Sequence, residues 1–410
     1  MHYTIDAPFA LHETIQLPPS KSISNRVLIM NKLAQSKIAP ENISDCDDTF
    51  VMGRALKDCA ELTDIMGAGT AMRFLTAYFA VTEGRTMLTG TDRMLHRPIQ
   101  VLVHAIRTLG ADIKYMNDEG FPPLQISGHA LEGGDVSLQG DVSSQFTSAL
   151  LMVGPVMKEG LTIHLTGKII SRPYIDMTLQ LMNTYGADAR WEDGKTLRVM
   201  PGGYKPCNFR VENDWSAASY WYEMVALSPD ENACITLPDL EENSVQGDSR
   251  VKELFESLGV TTTRNEKGFV LRKTTRKDIK AEWDLENVPD LAQTLVVTCA
   301  MLNRPFKFEG LQNLKIKETD RLKALKTELS KFGINIKISG GDTLSWDGKN
   351  EKPMDKIAID TYDDHRMAMA FAPCCFKIPH LKINNPQVVS KSYPKFWADL
   401  ESAGFNISEY

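Results

Sequence analysis

Residues 106–113 read I-R-T-L-G-A-D-I, in which the end of an amphipathic helix leads through a glycine into the start of a strand. Glycine at this position is typical of a helix that ends in a left-handed residue, because glycine has no Cβ to clash there. The same succession recurs at Gly186, Gly259, Gly333 and Gly404. Consecutive members of the series lie 71 to 76 residues apart, and so constant a period predicts a repeated unit of helices and strands.

The period predicts six ancestral repeats, of which the first is shortened. One period before residues 106–113 lies near residue 36, where no matching succession is found. The nearest helical candidate, 53–61, runs into Gly67 without a clear strand. A chain of 410 residues is also too long for one common core, so we expect two domains and a mixed α/β (α+β) fold class.

Composition narrows the class of protein. The sequence has no run of 18 apolar residues, so no membrane span is expected, and its first residues, M-H-Y-T, resemble neither a signal peptide nor a transit peptide. Its seven cysteines show no C-x-x-C spacing, which favours free thiols in a reducing cytoplasm and no metal site. The net charge of −7 argues against a nucleic-acid partner.

Cationic side chains stand at the predicted starts of several helices. Residues 19–26, P-S-K-S-I-S-N-R, precede an apolar run, and Ser22 or Ser24 can cap the helix there. Backbone N–H groups at such a start are unpaired and the helix dipole is positive, so the segment favours an anion. Residues 67–73, G-A-G-T-A-M-R, allow close backbone approach to a ligand, and Thr70 can cap. Neither segment is a Walker A or G-x-G-x-x-G motif.

Three further helix starts have the same character. Arg97 precedes a proline in H-R-P-I, Ser143 and Ser144 open V-S-S-Q-F, and Pro173 in S-R-P-Y-I-D-M suits the first helical position. Taken singly, each of these segments is more readily read as an ordinary structural cap. Their accumulation in one chain favours anion binding.

Residues 317–322, K-E-T-D-R-L, combine charge with a candidate proton donor. On a helix, Lys317 and Arg321 would be neighbours whose repulsion, about 0.2–0.5 kcal/mol, a bound anion would reverse. Glu318 would then point along the apolar stripe of the same helix, and apolar surroundings favour the protonated form of a carboxyl. The alternative is a solvated first turn in which Asp320 offsets the cations.

Residues 363–371, D-D-H-R-M-A-M-A-F, form a similar start. Asp363 or Asp364 can cap, which leaves His365 and Arg366 in the first turn, where cations oppose the helix dipole unless an anion docks there. Two weaker candidates are Asp290 in V-P-D-L-A-Q and Lys391 in V-S-K-S-Y-P-K-F.

Eight cations stand at these helix starts and loops: Lys21, Arg26, Arg73, Arg97, Lys317, Arg321, Arg366 and Lys391. They could neutralise two phosphates, each carrying about −1.5 to −2, together with carboxylates. Because the sequence has no metal or nucleotide motif, we expect transfer between two small anions that is driven by positioning and electrostatics.

Taken in order, these motifs resemble the 5-enolpyruvylshikimate-3-phosphate synthase (EPSP synthase) family of enolpyruvyl transferases, over about residues 18 to 400. The resemblance implies transfer of the enolpyruvyl group of phosphoenolpyruvate to the 5-hydroxyl of shikimate 3-phosphate, with release of phosphate, in the pathway to chorismate and aromatic amino acids. It implies an inverse α/β barrel of two domains, each of three β-α-β-α-β-β units, that closes over the substrates. It further implies a cytoplasmic monomer that needs no cofactor and is a target of glyphosate.

The resemblance also implies roles for individual residues. Contacts to shikimate 3-phosphate are expected from Lys21, Ser22, Arg26, Ser143, Ser144, Gln145, Ser171, Tyr174, Asp290, Asn313 and Lys317. Contacts to phosphoenolpyruvate are expected from Lys21, Gly69, Arg97, Gln145, Arg321, Arg366 and Lys391. Asp290 is expected to accept the hydroxyl proton with help from Lys317, and Glu318 to protonate the methylene carbon. Asp48, Thr70, Arg73 and His365 are expected to support the site.

Domain boundaries follow from the same resemblance. Residues 19–214 would form the domain that holds shikimate 3-phosphate, and residues 1–18 with 215–410 the domain that holds phosphoenolpyruvate. The sequence departs from the family at Gly67, where an asparagine is usual, and in the short stretch between Asp48 and Gly67. Both departures bear on phosphoenolpyruvate affinity.

Two other functions remain open at this point. UDP-N-acetylglucosamine enolpyruvyl transferases share the barrel, but they carry a reactive cysteine ahead of the Arg-Pro pair, and residues 90–97 contain none. A non-catalytic anion-binding homologue is favoured by Gly67 and the shortened repeat. Retention of Asp290, Lys317 and Glu318 argues against it.

Overall fold

A computed structural model describes residues 1–275 and 281–410. The chain forms two compact units: unit 1 contains Met1–Pro18 and Asn213–Tyr410, and unit 2 contains Pro19–Glu212. Asn213 and Asp214 belong to unit 1, two residues ahead of the predicted boundary, because their backbones are held there. Asn213 O accepts a 2.8 Å bond from Gln246 Nε2, and Asp214 N donates to Pro18 O over 2.9 Å.

The helices lie at regular intervals along the chain. They are α1 (Lys21–Leu33), α2 (Asp47–Asp58), α3 (Gly69–Val81), α4 (Asp92–Leu95), α5 (Gln100–Thr108), α6 (Ser144–Val153), α7 (Arg172–Thr184), α8 (Trp215–Leu227), α9 (Val251–Glu256), α10 (Ala292–Met301), α11 (Arg321–Ser330), α12 (His365–Phe371) and α13 (Phe396–Ser402). Within residues 1–275 and 281–410, every helix is too short or too polar to traverse a lipid bilayer.

The strands are short and alternate with the helices. They are β1 (His2–Asp6), β2 (His12–Thr14), β3 (Leu62–Asp64), β4 (Gly84–Thr89), β5 (Asp112–Tyr115), β6 (Leu124–Gly128), β7 (Gly134–Gln139), β8 (Leu161–Thr166), β9 (Ala189–Trp191), β10 (Thr196–Val199), β11 (Cys234–Leu237), β12 (Val260–Asn265), β13 (Gly268–Lys273), β14 (Ala281–Asp284), β15 (Phe306–Glu309), β16 (Lys337–Ser339), β17 (Thr343–Trp346), β18 (Ala358–Ile359), β19 (Leu381–Asn384) and β20 (Asn406–Glu409).

Four-stranded sheets of one design recur in both units. Unit 2 contains the sheets β3-β4-β6-β5 and β7-β8-β10-β9, and unit 1 contains β2-β11-β13-β12, β14-β15-β17-β16 and β18-β19-β1-β20. In each sheet the first two strands are parallel and the other two pair antiparallel. This is the β-α-β-α-β-β unit that the resemblance implied. In unit 1 the start of the chain supplies β2 to one sheet and β1 to another.

The five periodic glycines end the second helix of each of these repeats. Their φ angles lie between 76° and 101°, in the left-handed region that favours glycine. The residue after the glycine donates back into the last helical turn: Ala111 N lies 3.2 Å from Ile106 O, and Ile334 N lies 3.1 Å from Leu329 O. This bond pattern satisfies carbonyl groups at the helix end, so the glycine series reflects a local requirement that repeats with the unit.

Within each repeat the two helices have different environments. The first helix is buried on nearly all sides, as in α3, α6, α8, α10 and α12, whereas the second keeps an exposed face. A helix that is apolar all round belongs in a core. Each unit therefore places helices inside and sheets around them, as expected for an inverse α/β barrel.

The first repeat of unit 2 is shortened, as the sequence predicted. Both helices, α1 and α2, are present, but a single bridge between Glu41 and Arg210 stands in place of a sheet. Helix α2 ends at Asp58 and β3 begins at Leu62, so the antiparallel strand pair of the other repeats has no counterpart in this fully described segment. Cys59, with φ of 43°, takes the position of the periodic glycine.

Candidate active site

Nearly all of the candidate residues lie at or just before the start of a helix or 3₁₀ turn. In unit 2 they belong to the starts of α1, α2, α3, α5, α6 and α7, and in unit 1 to the starts of α10, α11 and α12 and to the 3₁₀ turns around Asn313 and Lys391. Helix starts combine unpaired N–H groups with a positive dipole, which suits anionic ligands.

Lys21 opens α1 and is paired with a carboxylate. Its Nζ lies 3.0 Å from Asp48 Oδ2 in the first turn of α2, and both side chains are largely buried. The helix cap differs from the prediction: Ser20, and neither Ser22 nor Ser24, accepts the 3.4 Å bond from Ile23 N. Ser22 therefore has no capping role, and its backbone carbonyl accepts a bond from Arg26.

Arg26 joins three helices of unit 2. Its guanidinium donates to Thr178 Oγ1 (2.7 Å), Ser148 Oγ (3.1 Å), and the carbonyls of Ser22 (2.9 Å) and Tyr174 (3.4 Å). Burial lowers the pKa of Arg26 to about 10. Most of the N–H groups of the Arg26 guanidinium donate to acceptors of the protein itself. Arg26 therefore holds the starts of α1 and α7 together. Its contact with a substrate stays a prediction.

Gln145 connects α6 to α3. Ser143 caps α6 by accepting a 3.3 Å bond from Gln145 N, while the Gln145 side-chain amide donates to Thr70 Oγ1 over 3.2 Å. The prediction that Thr70 caps α3 is wrong. Ala68 occupies the cap position, and Thr70 lies inside the first turn. Ser144 is the first residue of α6, and Ser171 immediately precedes α7 with φ of 54° and without a side-chain capping bond.

Gly69 and Arg97 are in direct contact. A Cβ at Gly69 would lie 2.5 Å from Arg97 Nη1, so the guanidinium rests against the glycine backbone. Arg73 stabilises the same loop by donating to Gly69 O and Pro98 O, each over 3.1 Å. Gly69, Arg73 and Arg97 thus form one local arrangement, which supports the predicted anion-binding loop at residues 67–73.

In unit 1, Arg321 stands at the centre of three carboxylates. Its Nε lies 2.7 Å from Asp364 Oδ2, one Nη lies 3.0 Å from Glu318 Oε2, and the other lies 3.5 Å from Asp290 Oδ1. Burial lowers the pKa of Arg321, but the charges of Asp364, Glu318 and Asp290 outweigh burial and hold the pKa above its ordinary value. The guanidinium is therefore a fixed positive charge.

Arg366 shares one of these carboxylates. Arg366 Nη2 lies 2.8 Å from Asp290 Oδ2, and Nη1 donates to the Tyr220 hydroxyl over 3.3 Å. Asp364 caps α12 by accepting a 2.9 Å bond from Arg366 N. Of the two aspartates considered as caps, Asp364 is the one that performs this role. Asp290, Glu318, Arg321, Asp364 and Arg366 form what we call the unit 1 cluster.

The prediction that Lys317 and Glu318 lie on the helix of residues 317–322 is wrong. Helix α11 begins at Arg321, with Asp320 as its cap, so Lys317 and Glu318 precede the helix. Glu318 does not point along an apolar stripe, because its carboxylate lies between Arg321 and Lys391 Nζ, the latter at 3.7 Å. The backbone leaves the helix at this point because the Asp320 side chain accepts a bond from Lys323 N.

The other unit 1 candidates lie on the segments that carry the cluster or, for Lys391, contact it directly. Asn313 lies on the 3₁₀ turn Gln312–Ile316, which leads into Lys317, and both side chains are partly exposed. His365 is buried in the first turn of α12. Lys391 ends the 3₁₀ turn Pro386–Lys391 and joins the cluster through Glu318.

Sequence reasoning missed the two residues that hold these cations in place, Asp364 and Tyr220, and the buried hydrogen-bonded pair Ser216 and Asp248. Asp364 was considered only as a cap, Tyr220 and Ser216 were not singled out, and the buried Asp248 was not noticed. Ser216 and Tyr220 lie four residues apart in W-S-A-A-S-Y, so a shared face of α8 was a signal that could have been used. Ser216 donates to Asp248, and Tyr220 accepts from Arg366.

Comparison with known proteins identifies the family. A family model described as EPSP synthase (3-phosphoshikimate 1-carboxyvinyltransferase) matches residues 59–400. A protein of Bacteroides fragilis named 3-phosphoshikimate 1-carboxyvinyltransferase is 54% identical over 407 residues, which cover 99% of both chains. A protein of the same name from Shewanella loihica is 35% identical over 419 residues, covering 95% of this chain and 96% of the relative.

Solved structures agree on the fold. EPSP synthase from Acinetobacter baumannii superposes with a TM-score of 0.78 at 20% identity and full coverage of both chains. The enolpyruvyl transferase NikO from Streptomyces tendae superposes with a TM-score of 0.75 at 16% identity, covering 99% of this chain and 98% of the other. The resemblance inferred from the motifs is thereby confirmed, and the chain belongs to the EPSP synthase (3-phosphoshikimate 1-carboxyvinyltransferase) family.

Proposed function

We propose that this chain performs the reaction of its family through the residues described above. The reaction moves the enolpyruvyl group of phosphoenolpyruvate to the 5-hydroxyl of shikimate 3-phosphate and releases phosphate, so the protein is an enzyme of the transferase class. The observation that carries the proposal is the unit 1 cluster: two candidate proton-transfer carboxylates, Asp290 and Glu318, are both held by the buried Arg321.

Unit 2 is assigned the binding of shikimate 3-phosphate. Lys21, Ser22, Arg26, Ser143, Ser144, Gln145, Ser171 and Tyr174 are its proposed contacts. The support is electrostatic: several of these residues lie in first helical turns, where backbone N–H groups favour a phosphate. Gly69 and Arg97, with Lys21 and Gln145, are proposed contacts to phosphoenolpyruvate.

Unit 1 is assigned the proton transfers. Asp290 lies against two guanidinium groups, which stabilise its carboxylate form, so it is suited to accept the hydroxyl proton. Lys317 and Asn313 assist it. Arg321, Arg366 and Lys391 are proposed to bind phosphoenolpyruvate.

Glu318 is proposed as the acid that protonates the methylene carbon. Arg321 and Lys391 stabilise its ionised form in the ligand-free protein. An anionic substrate on these two cations would offset their charge at Glu318 and favour uptake of a proton. Glu318 therefore becomes a proton donor only once the substrate is bound.

Gly67 removes an amide that the family usually offers to phosphoenolpyruvate. The Gly69 loop nevertheless keeps its own support, through the bonds from Arg73 to Gly69 O and Pro98 O. We therefore propose that the loop still binds phosphoenolpyruvate, with a backbone or water contact in place of the amide.

A phosphate-release assay with both purified substrates tests the proposal, together with an Asp290→Asn variant. We expect turnover in the wild type and a fall of at least about 100-fold in kcat for Asp290→Asn, because the base is lost. Binding of shikimate 3-phosphate, measured by calorimetry, should survive.

Asp118→Asn is the matched control, because this exposed aspartate lies in unit 2 at the β5–β6 turn. Full turnover in Asp290→Asn would remove Asp290 from its assigned role, and absence of turnover in the wild type would favour the non-catalytic homologue. The cytoplasmic location and the monomeric state stay predictions.

A further inference from the structure

One buried hydroxyl of unit 1 contacts a cation that is proposed to bind phosphoenolpyruvate. Tyr220 lies in the middle of α8 and is 1% exposed, and its hydroxyl accepts a 3.3 Å bond from Arg366 Nη1. The proton of this hydroxyl has no acceptor within residues 1–275 and 281–410. A buried donor without an acceptor destabilises the fold, and phenylalanine would fill the same space without one. Folding alone therefore does not account for a hydroxyl at position 220.

The ring of Tyr220 is fixed by its surroundings. It packs edge-on against Phe396 of α13, with ring centroids 5.9 Å apart and an angle of 73° between the ring planes. Helix α8 is buried along nearly its whole length, so the backbone at Tyr220 is held as well. The hydroxyl therefore keeps its position and does not follow the guanidinium of Arg366 when that group turns.

The guanidinium of Arg366 has acceptors at both of its terminal nitrogens. Nη1 donates to the Tyr220 hydroxyl, and Nη2 lies 2.8 Å from Asp290 Oδ2, so acceptors from two different elements fix the plane of the group. A guanidinium is a planar fork, and any rotation moves all of its donors together. Arginine often forms two parallel bonds to a carboxylate, so removal of the hydroxyl would let Arg366 pair more closely with Asp290.

The hydroxyl holds Arg366 without neutralising it. Burial raises the pKa of Tyr220 to about 12, although Arg366 and Arg321 act against the rise and Asp290 acts with it. Tyr220 is therefore uncharged at neutral pH. A carboxylate at this position would compete with an anionic ligand for the positive charge of Arg366, whereas an uncharged acceptor only directs the group.

We propose that Tyr220 is a positioning residue for phosphoenolpyruvate: its hydroxyl keeps Arg366 in the orientation that binds this substrate and prevents a closer pairing with Asp290. The inference rests on the proposed function, in which Arg366 binds phosphoenolpyruvate and Asp290 is the base. Tyr220 exchanges no proton or other atom with the substrate. Because it acts through the direction of Arg366, its effect belongs to phosphoenolpyruvate and not to shikimate 3-phosphate.

Steady-state kinetics of Tyr220→Phe, with each substrate varied in turn, tests the proposal. The variant removes one oxygen atom and keeps the ring. We expect the KM for phosphoenolpyruvate to rise about five- to tenfold, because a hydrogen bond from a charged group is lost, while the KM for shikimate 3-phosphate stays within about twofold of the wild-type value. An unchanged KM for phosphoenolpyruvate would overturn the proposal.

Tyr222→Phe is the matched control on the same helix. Tyr222 is also buried, and its hydroxyl shares a 2.9 Å bond with Thr262 Oγ1 of β12, which is not part of the unit 1 cluster. Both variants remove a buried, hydrogen-bonded hydroxyl from α8, so urea denaturation should show comparable losses of stability. We expect the KM for phosphoenolpyruvate to rise in Tyr220→Phe alone. Equal KM values in the two variants would show that Tyr220 has a merely structural role.

A double variant measures whether Tyr220 acts through Arg366. In Arg366→Lys the positive charge is kept but the planar fork is lost, so no plane remains for the hydroxyl to set. Adding Tyr220→Phe to this variant should therefore change the KM for phosphoenolpyruvate by less than about twofold. An undiminished effect of Tyr220→Phe in this background would mean that Tyr220 acts by another route, and the proposal would fail.

Calorimetric titration with phosphoenolpyruvate separates failure of this inference from failure of the proposed function. Absence of turnover in the wild type would refute the proposed function. Weaker binding of phosphoenolpyruvate by Tyr220→Phe than by Tyr222→Phe would then still support the positioning role. Equal affinities of the two variants, or no binding by either, would overturn it.

Discussion

At the scale of single residues, the contact between Gly69 and Arg97 leaves no space for a side chain at position 69. The guanidinium of Arg97 lies where a Cβ on Gly69 would be placed, at 2.5 Å from Nη1 and 2.9 Å from Cζ. Arg97 is 6% exposed, so its side chain has little room to move away. The glycine is therefore required for contact with the arginine, and a left-handed backbone is not the reason, since Gly69 has an ordinary helical conformation.

We expect Gly69→Ala to displace Arg97 and to weaken phosphoenolpyruvate binding. Loss of one charge-assisted contact predicts a rise of about tenfold or more in the KM for phosphoenolpyruvate, with a smaller change in kcat. Steady-state kinetics measures both. Gly53→Ala in α2 is the matched control, because a Cβ there meets nothing within 4 Å. An unchanged KM in Gly69→Ala would show that Arg97 does not bind this substrate.

Asp364 has two roles, which one substitution can separate. It caps α12 and also holds Arg321, with its carboxylate oxygens 2.7 Å from Nε and 3.3 Å from an Nη. Asn caps about as well as Asp, so Asp364→Asn keeps the helix start but removes the charge that fixes Arg321. We expect kcat/KM to fall about 100-fold, since a buried ion pair is broken.

Asp320→Asn provides the comparison for this prediction. Asp320 also caps a helix, α11, but its side chain is 26% exposed and its carboxylate lies 3.5 Å from Lys323 Nζ. Steady-state kinetics at equal enzyme concentration checks whether kcat/KM differs between Asp364→Asn and Asp320→Asn. Equal activity of both variants would mean that the cap, and not the charge beside Arg321, is what Asp364 contributes.

The candidate residues could be named from the sequence because helix starts are local features. Cations and small polar residues that recur at several helix starts of one chain favour anion binding. The partners of those residues could not be named in this way. Asp364 reaches Arg321, and Tyr220 reaches Arg366, only through tertiary packing. Glu318 was misplaced because the cap at Asp320 moved the helix start by four residues.

At the scale of elements, the second helix of each repeat ends at a residue with a left-handed backbone conformation. Five repeats meet it with a glycine at positive φ, whereas α2 ends at Cys59, which adopts φ of 43°. A non-glycine residue in this conformation is strained by its Cβ. The period of the repeats was readable from the sequence because glycine marks this position. The first repeat was predicted only as a shortened unit, without its bounds, because its marker is a cysteine and its strand pair is missing.

Cys59→Gly is therefore expected to stabilise the protein. Relief of the left-handed strain, partly offset by the greater freedom of glycine in the unfolded chain, predicts a gain of about 0.5–1 kcal/mol in the free energy of unfolding. Urea denaturation measures the change. Gly110→Ala is the reverse control at the equivalent position: φ is 101° and a Cβ meets nothing within 4 Å, so strain alone should destabilise it. A loss of stability in Cys59→Gly would contradict the argument.

At the scale of the whole molecule, the core of unit 1 contains a carboxyl that should make stability depend on pH. Glu223 lies on the buried helix α8, is 0% exposed, and faces Thr298 of α10. Burial raises the pKa of Glu223 well above its ordinary value, although the Thr298 hydroxyl opposes the rise. Above the ordinary value of about 4.5, the folded state therefore binds a proton that the unfolded chain has released.

The sign of the effect follows from this difference in bound protons. Stability rises with pH only where the unfolded state binds more protons, and here the folded state binds more, so stability falls as pH rises. Each unit of pH within that window costs about 1.4 kcal/mol for one fully coupled carboxyl. Asp248 and Asp399, whose pKa values burial also raises, add to the same trend.

Glu223→Gln should remove the largest part of this slope, because glutamine fills nearly the same volume without an ionisable group. We expect the variant to match the wild type in acid and to unfold at a higher temperature than the wild type on the alkaline side. Thermal unfolding followed at several pH values checks this, with the exposed Glu266→Gln as a control that should follow the wild type. Parallel curves for Glu223→Gln and the wild type would show that Glu223 is ionised in the folded protein, which would require a cation or hydrogen-bond donors that stabilise its charge inside the core of unit 1.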